Sequence, residues 1–187
     1  MEYNRVVLAT KIASASKLEG MAEELNKKSI KIYLDMDGVI CDFKKKYADM
    51  GGDPKDLEGS SWKLDPKICN AHEFWEDMEW MPDGKELIEA LRPFNPTLLT
   101  AGWEDRDCME ARSKWFNREI GYKSGVSGMI IDKNKSIYAP DGNILIDDYT
   151  KNTVPWDAAG GHAILHTSTK QTLSDLYDYL VSSVMDK

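Results

Sequence analysis

No stretch of this 187-residue chain approaches the roughly 18 apolar residues that a membrane-spanning helix needs. The first residues also lack a basic segment followed by an apolar core, the mark of a secretory leader. Cysteine is scarce: Cys41, Cys69 and Cys108 are odd in number and have no close pairing. That excludes a disulfide framework and fits a reducing compartment, and the spacing does not suit zinc. The histidines His72, His162 and His166 are isolated, and no Ser/His/Asp set stands out. Positive charge is in short supply, with 24 Lys and Arg against 32 Asp and Glu and a net charge of -8. Polymeric nucleic acid is therefore an unfavourable partner, because its backbone requires a basic face. A small anionic substrate is not excluded. Internal repeats and low-complexity tracts are absent. The expectation is a cytoplasmic protein with no membrane attachment, and a homodimer is the base-rate oligomer.

What is present is an ordinary globular balance, 42% hydrophobic and 30% charged, in a length that suits one domain with a small insertion. The chain is organised around Lys31 to Ile40. Ile30 to Leu34 has the β-branched and aromatic bias of a strand. Asp35 and Asp37 follow it, and in extended chain residues i and i+2 point the same way. Both carboxylates then face one pocket, and Gly38 lets the backbone turn away. Open α/β sheets bind ligands at this end of their strands. Two close carboxylates repel unless something neutralises them. Mg²⁺, a hard ion that prefers oxygen ligands, meets that need. Ordinary turn chemistry would also account for Asp-x-Asp-Gly taken alone.

Residues 1–29 read as an N-terminal helical extension, with Val6, Leu8, Ile12, Leu18, Met21 and Leu25 near helical spacing. After the first strand comes a long interval without a buried strand. It holds a polar helix at 42–50, a Gly-Gly-Asp-Pro break, the aromatics Trp62, Phe74, Trp75 and Trp80, and a helix at 83–91 ended by Pro93. Further strands are expected at 97–102, where the run enters a Gly turn, and at 129–131, 143–148 and 162–166. Amphipathic helices are expected at 105–120 and 172–185. Alternating strands and helices imply a mainly parallel sheet covered on both faces. Right-handed crossovers then gather the strand carboxyl ends on one edge. That edge carries Asp35 and Asp37, Thr100, and Asp147 with Asp148.

Asp35-Met36-Asp37-Gly38-Val39, Leu98-Leu99-Thr100-Ala101-Gly102, a lysine after the third strand and Ile146-Asp147-Asp148 resemble the four ordered motifs of the haloacid dehalogenase superfamily. Each motif is weak alone, and their order at successive strand ends is the signal. Within that superfamily the chain looks most like the 5'(3')-deoxyribonucleotidases and their bacterial and phage relatives. Asp35 to Phe43, Phe74-Trp75-Glu76, Met81 to Gly84 and Lys133-Asn134-Lys135-Ser136 carry this closer likeness. The resemblance implies an α/β Rossmannoid three-layer α/β/α sandwich. It divides the chain into the extension 1–29, a core of 30–40 and 92–187, and a small helical cap at 41–91.

The resemblance further implies a phosphomonoesterase working through a phosphoaspartate, with a nucleoside monophosphate as the small phosphorylated substrate. Asp35 would be the nucleophile and Asp37 the acid and base. Asp35, Asp37 (through its backbone carbonyl), Asp147 and Asp148 would hold Mg²⁺. Thr100, Ala101 and Gly102 would bind phosphate, and Phe74 and Trp75 would stack on a base. Lys133 and Lys135 both follow the third strand, but Lys135-Ser136 fits the pattern better. The chain departs from its relatives at Ala101, where the nucleotidases carry serine, and at Tyr149, where a basic residue occurs. A terminal phosphatase for polynucleotides and a non-catalytic binding protein are the alternative readings.

Overall fold

The computed structural model describes residues 17–58, 62–103, 106–121 and 124–185, with side chains described to residue 182. Five parallel strands form one sheet: β1 (Ile32–Leu34), β2 (Thr97–Thr100), β3 (Gly128–Ile131), β4 (Ile144–Asp147) and β5 (His162–Leu165), in the order β3-β2-β1-β4-β5. β1 is central and order reverses around it, so a crevice opens where the chains of β2 and β4 depart in opposite directions. The fold is α/β and Rossmann-like, with helices inserted after β1.

Strand periodicity sorts the core into two faces. Ile32 and Leu34 of β1, Leu98 of β2 and Ile144 and Ile146 of β4 enter a large apolar cluster. Tyr33, Leu99 and Leu145, one residue out of phase, enter a small cluster with Ala139 and Trp156. The large cluster takes in α1 (residues 17–27) through Met21, Ala22 and Leu25, α5 (Gly84–Leu91), α6 (Arg106–Glu119) and α8 (Thr169–Tyr179). The small one is covered by α7 (Thr150–Ala158). The extension is thus packed on the core along its described part. Its expected residues Val6, Leu8 and Ile12 lie outside the described residues.

The segment after β1 holds the short helices α2 (Phe43–Asp49), α3 (Pro66–Cys69) and α4 (His72–Glu76). It is closed at its base by two backbone rungs, Asp42 N–H to the Glu79 carbonyl at 2.9 Å and Met81 N–H to the Ile40 carbonyl at 2.8 Å. α5 lies against α8, and Asp83 at its start accepts from Thr169 N–H at 2.7 Å, so α5 belongs to the layer beside the sheet. The insertion has no separate core. Phe43, Tyr47, Ile68, Phe74 and Trp75 belong to the same large cluster as the sheet, and α4 packs along α6.

Candidate metal and phosphate site

The carboxyl edge of the sheet brings together four of the sequence-predicted charged residues. Asp35 follows β1, Asp147 ends β4, Asp148 follows at once, and Lys135 opens a short 3-10 turn after β3. Carboxylate oxygens of Asp35, Asp147 and Asp148 lie within 4.8 Å of one another. Lys135 is buried between two of them, its Nζ 2.7 Å from Asp35 Oδ1 and 2.7 Å from Asp147 Oδ2. Lys135 thus pairs with two of the three carboxylates, and the charges of Lys44 and Lys135 also act on Asp148. Burial, and then the charge of Asp147, push the Asp35 carboxyl well above its ordinary range. Burial opposes the charge on Lys135, but Asp35 and Asp147 outweigh it and hold the ammonium above an ordinary lysine. Asp148 is pushed up to about 6, first by burial and then by Asp147 and Asp37.

Such a set fits a hard divalent cation, which binds carboxylate oxygen and relieves carboxylate repulsion. Asp147 is also tied to the chain: it accepts from Lys135, from Tyr149 N–H at 2.9 Å and from Asn152 Nδ2 at 3.0 Å. Asp147 therefore sets the shape of the site as well as offering oxygen to it. Gly38 makes room for the third carboxylate. Its φ is +80°, and a side chain there would collide with the Asp148 carboxylate.

Asp37 stands apart from the carboxylate group. Its Oδ2 pairs with Arg112 of α6 at 2.6 Å. The Arg112 side chain is 2% exposed, and its guanidinium lies 4.4 Å from the centre of the Trp75 ring. Among the described residues, three buried side-chain polar atoms lack a hydrogen-bond partner: Asp37 Oδ1, Arg112 Nε and Thr100 Oγ1. Buried polar atoms are normally satisfied, and of these three residues Asp37 is the one that reaches the cavity, where a polar ligand could meet its free oxygen. Thr100 ends β2, and the chain then turns at Gly102, whose φ of +64° favours glycine.

A cavity of about 240 Å³ opens at this edge, and Thr100, Arg112 and Asp147 lie behind its lining rather than in it. Asp35, Asp37, Lys133, Lys135, Asp148 and Asn152 form its polar side, Ala101 and Gly102 one rim, and Phe43, Trp62, Leu64, Trp75, Trp103 and Tyr149 the apolar wall. Lys133 stands on the wall, whereas Lys135 is inside the acidic cluster. The expected stacking pair is divided. Trp75 reaches the cavity, but Phe74 is fully buried against Phe43, Tyr47 and Trp75 and does not line it. Its place on α4 turns Phe74 into the core. Trp62 takes the wall position, with Phe43 stacked on it at 5.5 Å and Tyr149 at 5.7 Å.

Asn152 is not foreseen from the sequence. Arg112 is foreseen only as a residue that could border the pocket, a place that a helix surface explains equally well. The available signal was its place among Cys108, Ala111, Trp115 and Phe116, the apolar positions of α6. Asn152 lies five residues beyond Asp147 in a helix that the sequence pattern did not disclose.

Neither protein-family models nor curated proteins give a match to this chain. No helix among the described residues is long and apolar enough to cross a membrane.

Proposed function

We propose that this chain is a Mg²⁺-dependent phosphomonoesterase of the haloacid dehalogenase type that hydrolyses a nucleoside monophosphate. One observation carries the reading: three carboxylates at adjacent strand ends lie within 4.8 Å of one another, and a single buried lysine sits between two of them. A site so poor in positive charge is costly unless a cation completes it, and only with that cation can it accept an anionic substrate.

Asp35, Asp147 and Asp148, with the Asp37 carbonyl, would hold the ion. When bound, Mg²⁺ would offset repulsion between the carboxylates and the incoming phosphate. Lys135 fixes the Asp35 carboxylate by engaging Oδ1. An Asp35 oxygen attacks phosphorus, and the ester P–O bond breaks with its electron pair going to the leaving oxygen. Asp37 gives that oxygen a proton. Asp37 then takes a proton from water as the water oxygen attacks phosphorus, releasing inorganic phosphate and restoring Asp35. Thr100 Oγ1, buried without a partner, is a ready donor to a phosphoryl oxygen where charge grows. The aromatic wall of Trp62, Trp75 and Tyr149 favours a leaving group with a flat ring.

The test is a panel of nucleoside monophosphates and sugar phosphates assayed with Mg²⁺ and with a chelator. The reading expects metal-dependent release of phosphate with nucleotides preferred. A wide preference for sugar phosphates refutes the nucleotidase part, and no phosphate release from any ester refutes the whole.

A further inference from the structure

We propose that Arg112 is a positioning residue that holds Asp37 in place for proton transfer to the leaving group. The inference rests on the phosphomonoesterase reading. Arg112 comes from the middle of α6, beyond every motif that suggests the chemistry. Its guanidinium nevertheless reaches Asp37 Oδ2 at 2.6 Å, with the arginine side chain 2% exposed and that of Asp37 19% exposed. This contact occupies one carboxyl oxygen and leaves the other, Oδ1, as the oxygen without a protein partner. Asp37 borders the cavity beside Asp35.

The arginine is itself held. Its guanidinium carbon is 4.4 Å from the Trp75 ring centre, and Nη1 lies 3.8 Å from Met36 Sδ. Trp75 is fixed in turn by its indole N–H, which donates to the Cys69 carbonyl at 2.7 Å. A planar guanidinium stacked on a ring has little freedom to swing. A chain of contacts thus runs from the insertion, through Trp75 and Arg112, to Asp37. Charge alone does not require this arrangement, since a lysine could neutralise Asp37. Fixed orientation does require it, because proton transfer depends on where the carboxyl oxygen sits.

A structural role and a positioning role differ in their dependence on the leaving group. An alkoxide needs a proton as the P–O bond breaks, whereas p-nitrophenolate leaves without one. The experiment compares Arg112→Met and Arg112→Lys with wild type on a nucleoside monophosphate and on p-nitrophenyl phosphate, both at saturating Mg²⁺. With Arg112→Met, kcat/KM, which reports only the steps up to loss of the leaving group and not the later hydrolysis that both esters share, is expected to fall about 100-fold on the nucleotide, the low end of what general acid catalysis supplies, and far less on the aryl ester. Arg112→Lys is expected to show the same split to a smaller degree, and it serves alone if the methionine variant does not fold. Equal losses on both esters, or no loss on either, overturn the proposal. A wild-type protein that cleaves neither ester refutes the phosphomonoesterase reading itself.

Discussion

Two buried cation–carboxylate groups stand side by side at the sheet edge, and they are incomplete in opposite ways. Around Lys135 the hydrogen bonding is well supplied, with Asp147 accepting from Lys135, Tyr149 N–H and Asn152. Positive charge is what that group is short of, since its one buried lysine pairs with two of three carboxylates and, at Asp148, burial and Asp147 outweigh Lys44 and Lys135. Around Arg112 the charge balances one to one, but Arg112 Nε and Asp37 Oδ1 have no partners. A deficit of charge calls for an ion. A deficit of partners calls for a substrate or water with donors and acceptors of its own. The first group therefore reads as the metal side of the site and the second as the side where protons move.

The largest expected effect separates the two groups by chemistry. Asp35→Asn should lower phosphatase turnover at least about 10⁴-fold, as loss of a nucleophile does, with an unchanged circular dichroism spectrum. Activity near wild type in that variant would break the assignment of the Lys135 side as the covalent side.

Stability separates them next. Lys135→Met leaves Asp35 and Asp147 buried without their cation, and should cost about 3–5 kcal/mol in denaturant unfolding, part of it restored by Mg²⁺. Arg112→Met should cost less, about 2 kcal/mol, because the Asp37 side chain is 19% exposed and can rehydrate. Mg²⁺ should restore little of that loss. Equal costs and equal rescue would remove the distinction between the two groups.

The pH dependence sharpens the account of the charge deficit. Asp148 is pushed from 3.8 up to about 6. Below 3.8 it is protonated in folded and unfolded chains alike, and its contribution to stability is whole. As pH rises through about 6, the folded chain must carry a buried charge and stability falls. Mg²⁺ should reverse that loss, so it should raise Tm more at about pH 7.5 than at about pH 5. Asp148→Asn should flatten both the pH slope and the Mg²⁺ increment.

The smallest effects concern the aromatic wall. Trp62→Ala should raise KM about tenfold or more, by loss of stacking on the leaving group, with kcat little changed. Phe74→Ala should instead destabilise the fold by about 3–5 kcal/mol, because its ring is buried among Phe43, Tyr47 and Trp75. A KM effect at Phe74 without loss of stability would reverse these assignments.

Much of this edge was legible in the sequence because its parts are local. A short β-branched run followed by Asp35-Met36-Asp37-Gly38 declares a strand, two carboxylates and a turn within nine residues. The run Ile144 to Asp148 does the same. The strands found at Thr97–Thr100, Gly128–Ile131, Ile144–Asp147 and His162–Leu165 fall within or next to the expected runs, because each carries a short apolar run, fully buried in β4 and partly buried in the edge strands β3 and β5. α7 was not legible. Thr150–Ala158 has few apolar residues and Pro155 inside it, and it covers only the small face of the sheet. The two inserted helices α3 and α4 are four and five residues long, too short for a period to show. Arg112 was only half legible, as a residue that could border the pocket or lie on a helix surface. Its pairing with Asp37 was not, since that partner lies 75 positions away and only tertiary packing of α6 brings the two together.

The most direct measurement is chemical trapping of the covalent intermediate. The protein is incubated with substrate and Mg²⁺, quenched, reduced with borohydride and mapped by mass spectrometry. The account predicts that Asp35 is recovered as homoserine, in a yield that requires both substrate and metal. Turnover with no reduction at Asp35, or with reduction at Asp37 or Asp147 in its place, would contradict it.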